Sequence, residues 1–432
     1  MTEQHQTEAA SADTIRLGRA GLAASSPTPE PFDSGVPRSV AAPRPGAIPY
    51  NPALDGLRAL AVLAVLGFHM EALSGGYLGV DVFFVLSGFL ITSLLLAERE
   101  RTGGISLAGF YVRRAFRLLP AFAVFVAAGS VLVAFADREE RDNFIMNAVT
   151  AFGNINNYFR VLSIDSDSNW LGHVWSLSVE EQFYLLWPLG LILLCRHPAA
   201  RRRLPLIILC LVVLVVVWRE VLIAVGVSGL RIYWGLDTRA DALLIGCALA
   251  AWLRHGPRVR GNGPGSRFTA GARPLALAGW TALALLVGAV VIAPDVSTRI
   301  TMLDHGGYTT IALLAAVLIL SLDRQPANTL GRLLGSAPLS WLGRISYGFY
   351  LWHYPVTGIV RDRAGERIGQ WPSVGVAIVL STGLAAASYY LVERPVQRHR
   401  PRWATAPATT TRRLIRAQSE AHNLGSAGRP TF

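Results

Sequence analysis

The chain has 432 residues, 52% of them apolar and 16% charged, with a formal charge of +12. A soluble domain carries about 25% charged residues. The shortage of charge excludes a cytoplasmic enzyme of soluble domains and disorder over most of the length, and it points to a polytopic membrane protein. All 40 basic residues are Arg, which removes a phosphate-loop Lys, a Schiff-base Lys and a Lys general base from consideration.

Residues 1–50 hold seven Pro among many Ser, Thr and Ala, which predicts a disordered cytoplasmic tail. Apolar stretches then follow one another. About 20 residues span a bilayer as a helix, and ten spans are predicted: 53–73, 78–97, 118–136, 174–195, 205–226, 233–253, 275–293, 308–322, 339–360 and 373–393. With the N-terminus placed inside, the inside loops hold 16 Arg and the outside loops 8. The bias puts both termini in the cytoplasm. The largest outside loop, 137–173, is locally acidic, and residues 398–432 read as a basic, disordered cytoplasmic tail. The expected organisation is therefore all-α, with a membrane domain over 51–397. Cys195, Cys210 and Cys247 lie in or at the ends of apolar runs without a C-x-x-C pair, so packing is expected of them and no metal or disulfide framework.

Charge at membrane depth costs at least about 2.5–3.5 kcal/mol and is normally paired or turned to a cavity, so polar residues in the apolar runs locate the site. In the first span, LDGLRALAVLAVLGFHM, Arg58 and His69 are 11 residues apart. That spacing puts them on one helix face, roughly 16 Å apart along the axis. The second span carries Asp81, Gly88 and Thr92 on one face. In FYVRRAFRLLP, Arg113 and Arg117 are i, i+4 with Arg114 beside them, an arrangement that suits either bidentate phosphate binding or plain anchoring at the inner surface. In NWLGHVWSLSVEEQFYLLWPL, His173 and Glu180 share a face and Glu181 is offset by about 100°. Arg239 and Asp241, two apart, point away from each other, so each needs a partner elsewhere. His353 stands beside Trp352 in an apolar helix. Glu393 and Arg394 close the last span, where a capping salt bridge is expected.

Taken in order, these segments resemble the acyltransferase-3 family of membrane O-acyltransferases. The matching pieces are Arg58 and His69 as R-x10-H, then GVDVFFVLSGFLI, YVRRAFRLLP, HVWSLSVEEQFYLLWP, TRADALLIG, GRISYGFYLWHYPV and LVERP, over about residues 50–397. The resemblance implies a bacterial plasma-membrane enzyme of about ten helices. Such an enzyme moves an acyl group, often acetyl, from cytoplasmic acyl-CoA to a hydroxyl of a cell-envelope glycan, a glycolipid or an antibiotic sugar. No cofactor is expected beyond this co-substrate, and no nucleic-acid partner. Some members carry a fused SGNH domain, for which these 432 residues have no room.

On this reading His69 is the general base or an acyl carrier. Arg58 steers the donor or stabilises the tetrahedral intermediate. Glu181 holds the histidine or the acceptor. Arg113, Arg114, Arg117, Asp81, Glu180, Arg239 and His353 are expected to bind substrate, with His353 in reserve as a catalytic group. The competing class is a transporter or flippase, since buried Arg, His and Glu also build proton relays; the inverted repeats many transporters show are not visible.

Overall fold

The computed structural model describes residues 49–162, 170–255, 272–294 and 303–405. Of the two tails expected to be disordered, residues 1–48 and 406–432 lie outside the described residues. Helix α1 (Pro52–His69) starts cleanly because Pro52 occupies the first turn and the Asn51 side chain accepts from the Ala53 N–H. Helix α2 (Gly79–Thr102) stops at Gly103, whose φ of 75° is a left-handed cap. Then come α3 (Leu107–Val133), α4 (Arg138–Phe152), α5 (Asn156–Leu162), α6 (Trp175–Arg196), α7 (Pro198–Arg202), α8 (Leu204–Ala224) and α9 (Gly229–Trp234). The remainder are α10 (Leu236–His255), α11 (Ala272–Ile292), α12 (Tyr308–Arg324), α13 (Thr329–Leu334), α14 (Ala337–Arg344), α15 (Ser346–Ile368), α16 (Gln370–Ser388), α17 (Arg394–Arg398) and α18 (Arg402–Thr405).

Each of the ten predicted spans overlaps one long helix, namely α1, α2, α3, α6, α8, α10, α11, α12, α15 and α16. Among the described residues, eight helical segments are long and apolar enough to cross a membrane. The other two, α10 and α15, carry more charge, with Asp237, Arg239, Asp241 and Arg254 in the first.

Three boundaries differ from expectation. Helix α3 begins at Leu107, where the Ser106 hydroxyl accepts from the Gly109 N–H, so the three arginines ride on the helix and not on a loop before it. The ninth span is broken at Ile345 into α14 and α15. Loop 137–173 contains a helical hairpin. Asp137 caps α4, which folds back along α3, with Phe144 against Gly129 and Phe152 against Phe122 at 4.9 Å. The hairpin turns at Asn154, φ 56°. Its polar tip is held by α6, where the Gln182 amide donates to the Asn154 carbonyl at 2.6 Å and to Asn157 Oδ1 at 2.8 Å.

Helix α2 is the centre of the bundle: 78% of its span is buried, against 17% for α8 and for α11. Two glycines let it lie on α10. A Cβ on Gly88 would stand 1.9 Å from the Leu243 carbonyl oxygen, and one on Gly246 would stand 2.1 Å from that of Val85. The same interface carries a fully buried ion pair, Arg239 Nη2 to Asp81 Oδ1 at 2.6 Å. The Arg239 guanidinium also lies over the Tyr308 ring at 3.7 Å. Close by, Arg219 of α8 reaches Asp241 at 3.0 Å, and the Thr309 hydroxyl donates to the same carboxylate. Arg239 and Asp241 thus each have their own partner, as their spacing requires.

Breaking a buried pair by removing one member typically costs about 3–5 kcal/mol, while replacing both by apolar groups is often neutral. Asp81→Leu or Arg239→Met alone should therefore lower the thermal stability of the detergent-solubilised protein sharply. The double variant should recover most of the loss. A double variant no more stable than either single one contradicts a purely structural pairing.

Candidate active site

Two chambers lie along α1. The first surrounds Arg58 and has a volume of about 100 Å³. Ser87 of α2, Arg114 and Arg117 of α3, Glu180 and Tyr184 of α6, and Tyr347 and Tyr350 of α15 complete its wall. Arg58 bonds Asp55 at 3.3 Å, and the Tyr50 hydroxyl donates to the same carboxylate at 2.8 Å. Arg114 is held on two sides, by Glu181 at 2.7 Å and by the Tyr184 ring at 3.3 Å. Glu180 accepts from Ser87 at 2.8 Å and from Tyr184 at 3.2 Å. Arg117 is exposed in this opening and has no carboxylate within ion-pair distance among the described residues. It is the cation with capacity to spare. A larger opening of about 290 Å³ adjoins and shares Arg114, Glu180 and Tyr347 with the first.

The second chamber, about 260 Å³, surrounds His69 at the other end of α1. Its wall is aromatic: Tyr77, Trp175, Tyr233, Trp234 and Tyr354, with His173 and Arg160 as further polar members. Three imidazoles cluster here. The His353 ring centroid lies 5.3 Å from that of His69 and 5.2 Å from that of His173. Tyr354 stacks on His173 at 4.9 Å and meets His69 edge-on at 4.8 Å. Gly172 makes room for this, since a Cβ there would stand 2.4 Å from the Tyr354 hydroxyl.

The chambers adjoin. Val80 and Tyr350 belong to the walls of both. The Tyr350 hydroxyl donates to the His173 carbonyl at 3.0 Å and lies 2.6 Å from the Ser176 hydroxyl. Its ring is thereby fixed at the boundary between the arginine end and the histidine end.

Several expected site residues are gathered by the fold, and several are not. Arg58, Arg114, Arg117 and Glu180 meet in one chamber. His69 and His353 meet at the other, where His353 stands behind the wall at 0% exposure. Glu181 is with Arg114 and not with His69. Arg113 is drawn away from the two other arginines, because the buried carboxylate of Glu98 needs a cation; they meet at 2.8 Å, and Arg113 also donates to the Ala404 carbonyl. That contact fastens α18 to α3, so residues 402–405 are helical where a disordered tail was expected. Asp81 and Arg239 pair with each other outside both walls. Glu393 bonds Ser388 at 3.4 Å in place of a capping bridge to Arg394. Tyr350 and Tyr354 were not among the expected site residues, and His173 was read only as sharing a face with Glu180. The signal for the tyrosines was the spacing of Tyr350, His353 and Tyr354 in YGFYLWHYP, which puts a tyrosine one turn before the histidine and another beside it.

The family model described as an acyltransferase domain matches residues 51–390. The chain belongs to this acyltransferase family. It is similar to YrhL of Bacillus subtilis, at 37% identity over 361 residues, 81% of this chain and 55% of that protein. It is also similar to the peptidoglycan O-acetyltransferase OatA of Listeria monocytogenes, at 33% over 362 residues, 81% of this chain and 56% of that protein. The O-acetyltransferase OatA of Staphylococcus aureus is 32% identical over 363 residues, 81% of this chain and 57% of that protein. The chain thus spans a little over half the length of these relatives. No solved structure matches it.

In an acyltransferase of this family, displacing a wall of the histidine chamber should cost turnover. Gly172→Ala forces the Tyr354 hydroxyl to move and should lower acyl transfer roughly tenfold or more, with little change in the melting temperature in detergent. Unchanged transfer would show that the placement of Tyr354 does not matter.

Proposed function

We propose that this chain is a membrane O-acyltransferase that takes an acyl group, acetyl foremost, from acyl-CoA at the Arg58 chamber and delivers it to a hydroxyl at the His69 chamber. The separation along α1 carries this reading. Eleven residues put the cationic grip about 16 Å from the imidazole, so Arg58 is too far to touch a carbonyl that His69 attends. Its role is to steer the donor and not to stabilise the tetrahedral intermediate. A donor that satisfies both ends must be elongated, with anionic groups at one end and a reactive carbonyl at the other. Acyl-CoA has that shape: phosphates, a long narrow arm and a terminal thioester. Arg117, unpaired by any carboxylate among the described residues, and Arg58 hold phosphate oxygens, while Glu180 and Glu181 keep Arg114 in place.

At the other end His69 takes the proton from the acceptor hydroxyl as its oxygen attacks the thioester carbon. The carbon–sulfur bond breaks, and the proton passes to the departing CoA thiolate. The aromatic wall excludes water and offers faces on which a sugar ring stacks. The Arg excess of the loops supports placing the Arg58 end toward the cytoplasm, where acyl-CoA is held. The Listeria relative's name supports a cell-envelope glycan as acceptor.

The test uses membranes carrying the full chain, labelled acetyl-CoA and fractionation into lipid, glycan and small molecules. His69→Ala should lower labelling at least about 100-fold. Arg58→Ala and Arg117→Ala should raise the donor KM more than they lower kcat. Labelling that survives His69→Ala refutes the site. If no donor is consumed with any acyl chain, the transporter reading replaces this one.

A further inference from the structure

A histidine base needs a group that fixes which nitrogen carries its proton. A carboxylate commonly does this, yet among the described residues none lies within ion-pair distance of His69, His173 or His353. What stands beside His69 is a second imidazole. His353 is fully buried, and its Nδ1 lies 2.6 Å from the Tyr350 carbonyl oxygen one turn back in α15. A carbonyl can only accept, so Nδ1 carries the hydrogen and donates it. Nε2 of the neutral ring is then a lone pair. That nitrogen is buried without a hydrogen-bond partner, and an acceptor in that state demands an explanation. Its ring centroid is 5.3 Å from that of His69 and 5.2 Å from that of His173; no hydrogen bond joins these rings in this structure, and His69 is the one the proposed reaction uses.

We propose that His353 is the positioning residue of this site: with Nδ1–H anchored on the Tyr350 carbonyl, its Nε2 lone pair accepts the ring N–H of His69 and so turns the free nitrogen of His69 toward the acceptor hydroxyl. The inference rests on the reading of His69 as general base. Bonds of this kind are often long in the empty site and close in the complex. A neutral partner suits a chamber walled by aromatic rings, where a carboxylate would have to be desolvated. Tyr350 then has two tasks from one residue. Its hydroxyl marks the boundary between the chambers, and its carbonyl selects the tautomer of His353. His353 itself does not touch substrate, which revises its expected role in binding.

The two amide variants separate the ring nitrogens. His353→Asn keeps a donor where Nδ1 was and has nothing at Nε2. His353→Gln places an amide near Nε2. In membranes fed labelled acetyl-CoA, H353N should lower kcat about 100-fold with the donor KM unchanged, and H353Q should recover about tenfold over H353N. Wild-type kcat in H353N, or no recovery in H353Q while both variants melt as the wild type, overturns the proposal. His69→Ala runs in parallel; if it too retains full activity, the base assignment itself fails. Nitrogen-15 spectra of histidine-labelled wild-type protein provide the measurement that folding cannot confound. His353 must show a protonated Nδ1 and an unprotonated Nε2, and the opposite tautomer refutes the account.

Discussion

Charge placed in an apolar bundle has to be paired, and the pairing of Asp81 with Arg239 sets where α2 stands. Both side chains are at 0% exposure, so neither can exchange its partner for water. The glycine contacts at Gly88 and Gly246 bring the two backbones together, and the ion pair fixes the register. The walls of the site depend on that register. Val80, next to Asp81, forms part of both chamber walls, and Ser87, two turns beyond Val80, binds Glu180. On the α10 side, the Arg239 guanidinium lies 5.1 Å from the ring of Tyr233, which lines the histidine chamber. A pair that touches neither chamber thereby holds a wall of each.

The arginine chamber obeys the same rule with a different outcome. Three guanidiniums share it, and the carboxylates near them are distributed unevenly. Asp55 serves Arg58, Glu181 with Glu180 serves Arg114, and Arg117 is left over. A structural cluster would have paired every member internally. The surplus cation, in an opening, is what supports the proposed grip for an anion. At the far end aromatic rings and imidazoles predominate, and the one guanidinium of that wall, Arg160, lies over the Trp234 ring at 4.8 Å.

Much of this was legible in the sequence because it depends on period and length. Ten apolar runs became ten long helices, and the alignment of Arg58 with His69 comes from 11 residues at about 100° each. The start of α3 was not legible by that route, since YVRRAFRLLP reads as a polar loop when hydropathy alone is weighed. Its helical state depends on Ser106 as a cap and on partners in other helices. The α4–α5 hairpin was hidden for a similar reason. REERDN announces a surface loop, while Asn156 reaches Asn147 and Asn157 reaches the Trp234 carbonyl only after the chain has turned at Asn154. Partner identities were beyond reach. Spacing showed that Arg239 and Asp241 need separate partners, but nothing local names Asp81 and Arg219. Tyr50 on Asp55 and the short helix α18 against α3 are further long-range or terminal contacts that no periodicity announces.

The central claim is that donor and acceptor meet from opposite ends of α1. Sealed vesicles of both orientations, given labelled acetyl-CoA outside and a soluble peptidoglycan fragment on one side at a time, test it directly. The account predicts that the donor is consumed only from the face at the Arg58 end and that the labelled glycan forms on the other face. Donor consumption from the His69 face, or donor use and product formation on the same side, would contradict it.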